Sequence, residues 1–292
     1  MGALTVSHTR MTQPAQSACF HFSLCYFQCC NCKPMSDQLD IIYRDEFLIA
    51  INKPSGLLVH RSAVDHHETR FAMQLLRDQI GQHVFPVHRL DKPTSGVLLF
   101  ALSAESAALM GPLFAQHNLQ KTYLAIVRGT APDYLKLDYP LTEEQDKCTD
   151  ARARTAEAKP AVTEFFRLAD IALPCKIDKY PESRYSLVKC IPHSGRKHQI
   201  RRHLKHISHP IIGDAKHGKG NHNRFFQQMF SAHRLLLAAT ELIFVHPVLQ
   251  KELKFTAPLD ATMTDLIHRF NWQDLVPGEW LVPQMQDRAY AS

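Results

Sequence analysis

The stretch best equipped for chemistry is His88-Arg89-Leu90-Asp91-Lys92-Pro93-Thr94-Ser95-Gly96, which runs straight into the apolar Val97-Leu98-Leu99-Phe100. Pro93 disfavours helix at Lys92, and Gly96 permits a tight backbone before a strand. Asp91 is thereby placed on a fixed loop at a strand's edge, between the cations Arg89 and Lys92. Neighbouring positive charge keeps a carboxylate ionised, the state in which it serves as a nucleophile or a base. The plainer reading is an Asp-Lys-Pro turn with surface charges.

A second stretch, His193–Leu204, is cationic, and between Gly195 and Lys205 there are five Lys/Arg and no acid. The spacing predicts a helix over Arg196–Ile207. On it Ile200, Leu204 and Ile207 form an inward stripe, and Lys197, Arg201 and Lys205 form a neighbouring one. With Arg196 and Arg202 these cations would meet phosphates or a carboxylate, or else make a solvated basic face. His198, His203, His206 and His209 do not read as a metal site. Only His203 and His206 share i, i+3 spacing on that helix, and no carboxylate lies among them. Third, Lys121-Thr122-Tyr123 opens a strand, so Tyr123 is either core packing or a platform for stacking a base.

The elements that must position these groups follow from the apolar pattern. Ile41–Tyr43 and Phe47–Asn52 read as strands around a turn at Arg44-Asp45-Glu46, and Leu57–His60 as a strand resuming after Lys53-Pro54-Ser55-Gly56. Glu68–Ile80 reads as helix, Val97–Leu102 as a buried strand, and Ser103 as the cap of a helix over Ala104–Gln116. Lys121–Val127, Val162–Leu168, Tyr185–Ile191 and Leu235–Phe244 are further strands, residues 140–160 a loop, and the chain after Trp272 is weakly patterned. Strands mostly joined without helical crossovers predict an α+β fold: a mixed, mainly antiparallel sheet with flanking helices.

The chain has 292 residues, 45% hydrophobic and 21% charged, which excludes a globally disordered protein. No apolar run reaches the ~18–20 residues of a membrane span. The net charge of +6 permits a polyanionic partner. Five of eight cysteines (Cys19, Cys25, Cys29, Cys30, Cys32) fall before Met35. Residues 1–34 read as a disordered or mis-assigned upstream extension, ahead of a targeting segment or a metal site. The cluster at 29–32 lacks the two-residue spacing with which paired thiolates grip zinc. A catalytic domain is expected over 35–275 and a tail over 276–292. Three scattered thiols in the body fit a reducing cytoplasm.

Taken in order, Asn52-Lys53-Pro54-Ser55-Gly56, Arg89–Gly96, Lys121-Thr122-Tyr123, Gly195–Arg201 and His209-Pro210-Ile211-Ile212-Gly213-Asp214 resemble the motif series of the RluA-type pseudouridine synthases. The resemblance implies an isomerase that breaks the N1–C1′ bond of a uridine in RNA, turns the base and rejoins it through C5, without redox or metal cofactor. It implies that Asp91 is the catalytic carboxylate, Arg201 its ion-pair partner and Tyr123 the stacking ring. Arg89 is implied to fill the gap left by the extruded uridine. Arg89, Lys92, Arg196, Lys197, Arg202 and Lys205 are the expected RNA contacts. Gly81–Phe85, Arg201-Arg202, Lys216-His217-Gly218 and Asn223-Arg224 resemble in particular the branch that acts on uridine 65 of tRNA. A cytoplasmic monomer is expected, with tRNA as its partner and no membrane. Action on ribosomal RNA, or RNA binding without catalysis, are the alternatives. Relatives commonly carry Leu-His-Ala where this chain has Leu237-Ala238-Ala239.

Overall fold

Asp45 turns the chain between its first two strands. Its carboxylate accepts from the N–H groups of Phe47 (2.8 Å) and Leu48 (2.6 Å), and its own N–H donates to the Leu48 carbonyl at 3.0 Å. β1 (Asp40–Arg44) and β2 (Leu48–Lys53) pair antiparallel around it. The computed structural model describes residues 38–61, 68–116, 118–142 and 157–281, all within one compact unit. The extension expected over residues 1–34 and most of the expected 140–160 loop lie outside the described residues.

The remaining strands are β3 (Phe85–Pro86), β4 (Ser95–Ala101), β5 (Leu119–Arg128), β6 (Tyr134–Asp138), β7 (Val162–Leu173), β8 (Ser183–Pro192), β9 (Leu237–Val245) and β10 (Glu252–Thr256). The helices are α1 (Ala72–Ile80), α2 (Ala104–Ala115), α3 (Gln199–His206), α4 (Gly220–Phe230) and α5 (Ala261–Arg269). Among the described residues the strands form one sheet, ordered β1-β2-β4-β9-β5-β8-β7-β6, with β3 on β4 and β10 on β9. Only β4 and β9 run parallel, pairing Ser95 with Ala238 and Gly96 with Ala239. The architecture is the α+β fold expected.

Both faces of the sheet are covered, and side-chain alternation divides the core accordingly. From β4, Leu98 and Phe100 join Leu76 of α1, whereas Val97, Leu99 and Ala101 join Met110 of α2. From β5, Leu124 and Ile126 meet Phe226 of α4 and Met263 of α5, while Ala125 and Val127 meet Ile200 and Leu204 of α3. Ser103 caps α2 as expected, its hydroxyl accepting from Ser106 N at 3.0 Å. Among the described residues no helix is long and apolar enough to cross a membrane.

Several expected boundaries move. Leu57–His60 is not a strand: Gly56 takes φ +88° and turns the chain off the sheet, and only Leu58 bridges, to Phe71. α1 begins at Ala72, four residues later than its pattern suggests. α3 begins at Gln199 because His198 sits at φ 55°, in the left-handed region that no helix continues through. The tail expected from residue 276 still belongs to the core there: Val276 and Trp280 are buried, and Leu259 N donates to the Trp280 carbonyl at 2.7 Å.

Candidate active site

The Asp91 loop is clamped from behind by the Asn52–Gly56 segment. Gly56 N donates to the Lys92 carbonyl (2.8 Å) and Ser55 Oγ to the Pro93 carbonyl (2.7 Å). Lys53 is fully buried, and its ammonium reaches the carbonyls of Pro54 (2.8 Å), Leu57 (2.8 Å) and Lys92 (3.1 Å). Three acceptors match the three donors of an ammonium. Burial and the Arg234 charge nevertheless pull its pKa down to about 7, while Asp91 acts the other way. Thr94 N closes the turn onto the Asp91 carbonyl at 3.0 Å.

α3 faces this loop. Ile200 and Leu204 anchor it in the core, as the apolar stripe requires. Gln199 and His203 pin its first two turns: Gln199 Nε2 donates to Val162 O and Thr163 Oγ1, each at 3.0 Å, and His203 contacts Thr163 Oγ1 and Tyr139 O at the same distance. His203 is therefore a structural core histidine, its pKa lowered by burial.

Arg201, which the stripe grouped with Lys197 and Lys205, points inward instead and is buried. Its Nη1 donates to Asp91 Oδ2 at 2.9 Å, while Nε and Nη2 donate to Asp214 Oδ2 (2.7 Å) and Oδ1 (2.9 Å). Asp214 also accepts from the N–H groups of Lys216 and His217, both at 2.9 Å. Burial opposes ionisation of Asp214, yet Arg201 and these N–H groups hold its carboxyl below the usual range. Burial likewise opposes the charge on Arg201, and the two carboxylates outweigh it.

Asp91 opens onto a cleft of about 630 Å³, lined among others by His88, Arg89, Lys121, Tyr123, Arg196, Lys197, His198 and Arg201. That volume lies in the ~300–1,000 Å³ range of small-molecule sites. The Asp91 side chain is 22% exposed, accessible from the cleft while held by a guanidinium that is 7% exposed. Tyr123 is half-buried in the cleft lining, and burial and then the Asp91 charge raise its phenol pKa well above the ordinary value. Its hydroxyl is accordingly neutral, and the ring is the useful part. Burial and Lys121 depress His88 to about 3, and its Nε2 accepts from Leu99 N at 3.0 Å. His198 Nε2 lies 3.8 Å from Asp91 Oδ2, and its Nδ1 lies 3.2 Å from His217 Nε2.

Asp91, Arg201 and Tyr123 thus share one site, and Arg89, Arg196 and Lys197 line it. The other three expected RNA contacts stand off the cleft lining. Lys92 pairs with Glu68 at 2.8 Å, Arg202 donates to the Thr142 carbonyl at 2.8 Å, and Lys205 is exposed. The sequence reading gave no role to Asp214, His198, His88 or Lys53. Asp214 had one usable signal: it closes the His209–Asp214 segment of the motif series. Among the described residues no three His, Cys, Asp or Glu side chains are gathered as metal ligands.

A buried Arg and a reachable carboxylate, beside an aromatic ring and a rim of cations, suit a reaction on a nucleotide of RNA. The family model for RNA pseudouridylate synthase matches residues 47–206. A Vibrio cholerae protein named tRNA pseudouridine synthase C is 54% identical over 237 residues, covering 81% of this chain and 97% of that one.

The chain belongs to the RNA pseudouridylate synthase family.

A Haemophilus influenzae member, also named tRNA pseudouridine synthase C, is 48% identical over 238 residues, 81% of this chain and 100% of its own. Among solved RNA pseudouridylate synthases, human RNA Pseudouridylate Synthase Domain Containing 4 superposes with a TM-score of 0.59 at 27% identity. It covers 80% of this chain and 93% of that one. The departure from the pseudouridine synthase pattern at Ala238 lies outside the cleft lining. That residue is 2% exposed, in the same core cluster as Leu124, Ile126 and Leu236.

Proposed function

We propose that the protein isomerises a uridine of tRNA, at position 65, to pseudouridine, as a monomer in the cytoplasm. The observation that carries the reading is the Asp91–Arg201 pair at 2.9 Å on the cleft wall, beside Tyr123. The high identity to relatives named for a tRNA activity supports the substrate class. The free thiols of Cys175 and Cys190 suit a reducing compartment.

In this reading Asp91 is the carboxylate that engages the extruded nucleoside. The N1–C1′ bond breaks, a C5–C1′ bond forms, C5 loses its proton and N1 gains one, so atoms balance without a co-reactant. Arg201 keeps Asp91 ionised and aimed; removing a buried carboxylate from water without such a partner costs several kcal/mol. Tyr123 stacks on the base. Arg89, exposed at the rim, fills the vacated stack, and Arg196 and Lys197 meet phosphates. Extrusion costs a few kcal/mol, which such contacts offset.

The test is tritium release from 5-tritiated uridine in purified tRNA and ribosomal RNA transcripts, followed by mapping of the modified site. Release from tRNA with the mark at position 65 is expected. Release from ribosomal RNA alone would reassign the substrate, and tRNA binding without release would make the protein a non-catalytic RNA binder.

A further inference from the structure

The hairpin tip between β7 and β8 and the start of α4 carry charge that the cleft does not use. In residues 174–182 the cations are Lys176 and Lys179 and the acids Asp178 and Glu182. Both acids are engaged. Asp178 accepts from Arg128 Nη2 at 3.0 Å and from Asn221 Nδ2, and sits 3.0 Å from His222 Nε2; Glu182 is held by Arg184. The Asp178 contacts fasten the tip to the first turn of α4 and to the end of β5.

Lys176, Lys179, Lys219 and Arg224 are all exposed, and none has an acidic partner among the described residues. From Ala215 to Arg224 the chain has three Lys/Arg and no acid. Arg224 folds back over the start of its helix, its Nη1 3.5 Å from where a Gly220 Cβ would stand. Tyr180 is 58% exposed, and the Lys179 ammonium lies 5.0 Å above its ring, which restrains an otherwise mobile side chain.

This cationic strip is joined to the site through the 214–219 segment. His217 touches His198 of the cleft at 3.2 Å, and Asp214 binds Arg201. Lys219 is five residues beyond Asp214, so the chain between them spans no more than about 18 Å. That is less than one helical turn of duplex nucleic acid.

We infer that the β7–β8 tip and the first turn of α4 form a second RNA contact, gripping the phosphate backbone of the substrate's helical stem within about one turn of the target nucleotide. The inference rests on the RNA-modifying reading and deepens it: the substrate class is a uridine attached to a structured stem, not an isolated single strand. Phosphate contacts of this kind set position and affinity without reading bases.

The variants Lys176→Gln/Lys179→Gln and Lys219→Gln/Arg224→Gln test it, on two substrates: full-length tRNA, and a short stem-loop ending within a few base pairs of the target uridine. Each pair should weaken tRNA binding about tenfold and reduce the slope of log affinity against log salt by about 1.5. Binding of the short stem-loop and kcat should stay within twofold. Unchanged tRNA affinity and salt slope, or equal losses on both RNAs, would overturn the strip. Binding is measured with Asp91→Asn protein, so the strip is judged separately from turnover; absence of tritium release by the unaltered enzyme would instead defeat the proposed function.

Discussion

Asp214 holds Arg201 by two of its guanidinium nitrogens, at 2.7 and 2.9 Å, and so leaves Nη1 as the one directed at Asp91. The two carboxylates differ in setting: Asp214 has no exposed surface, whereas Asp91 faces the cleft. Removing one partner of a buried pair destabilises by roughly 3–5 kcal/mol, because the other charge is stranded. Asp214→Asn should therefore cost about 3 kcal/mol in urea unfolding and lower kcat by about a hundredfold, as Arg201 loses its aim. Asp91→Asn should cost under about 1 kcal/mol, since Asp214 still satisfies Arg201, yet abolish turnover. Equal stability losses in the two variants would contradict this division of labour.

Lys53 gives stability a pH dependence of defined sign. Its folded pKa of about 7 lies below the ordinary 10.5, so the unfolded chain binds that proton more tightly. The penalty is fully present below pH 7 and lifts as the pH climbs toward 10.5. Lys53→Met, which leaves three carbonyls without a donor, isolates the effect. The unfolding free energy of the parent minus that of the variant should grow by up to a few kcal/mol between pH 7 and 10. A flat or falling difference would show that the ammonium is not destabilised by its burial.

How much of this was legible beforehand depended on whether the cause was local. Strands β2, β4, β5 and β8 announce themselves because each is a run of β-prone apolar residues, and Ser103 caps α2 by a bond within one turn. The helices α4 and α5 went unread because only the packed sheet shows which of their sides is buried, around Phe226 and Met263. The pairing of Asp91 with Arg201 spans 110 residues and came from the motif resemblance; the Asp214 contact, made by tertiary folding, came from nothing local. Lys92, Arg202 and Lys205 came as expected RNA contacts with the motif resemblance; that they stand off the cleft lining is set by tertiary packing, which motif order does not carry.

Gly96 shows how narrowly the Asp91 loop is seated. Its φ is +111°, and a Cβ there would stand 2.0 Å from the Ala239 carbonyl oxygen, at the one parallel pairing among the described strands. Gly96→Ala should destabilise by more than about 3 kcal/mol or leave the protein insoluble, because neither backbone can yield. A melting temperature unchanged within a degree or two would refute that close approach.

Tyr123 separates ring from hydroxyl. Because burial keeps the phenol neutral, Tyr123→Phe should retain turnover within about tenfold, with an unchanged alkaline limb of the rate profile up to pH 10. Tyr123→Ala should lose about ten- to a hundredfold, since base stacking on a ring is worth about 1–3 kcal/mol. Comparable losses in both variants would assign the hydroxyl a part in the chemistry.

The most direct measurement is single-turnover tritium release by Asp91→Ala on a tRNA that the unaltered protein modifies, with RNA binding followed in parallel. No detectable release, with binding kept within a few-fold, is the expected result. Release at the rate of the unaltered protein would contradict Asp91 as the reacting carboxylate and, with it, the assignment of this cleft.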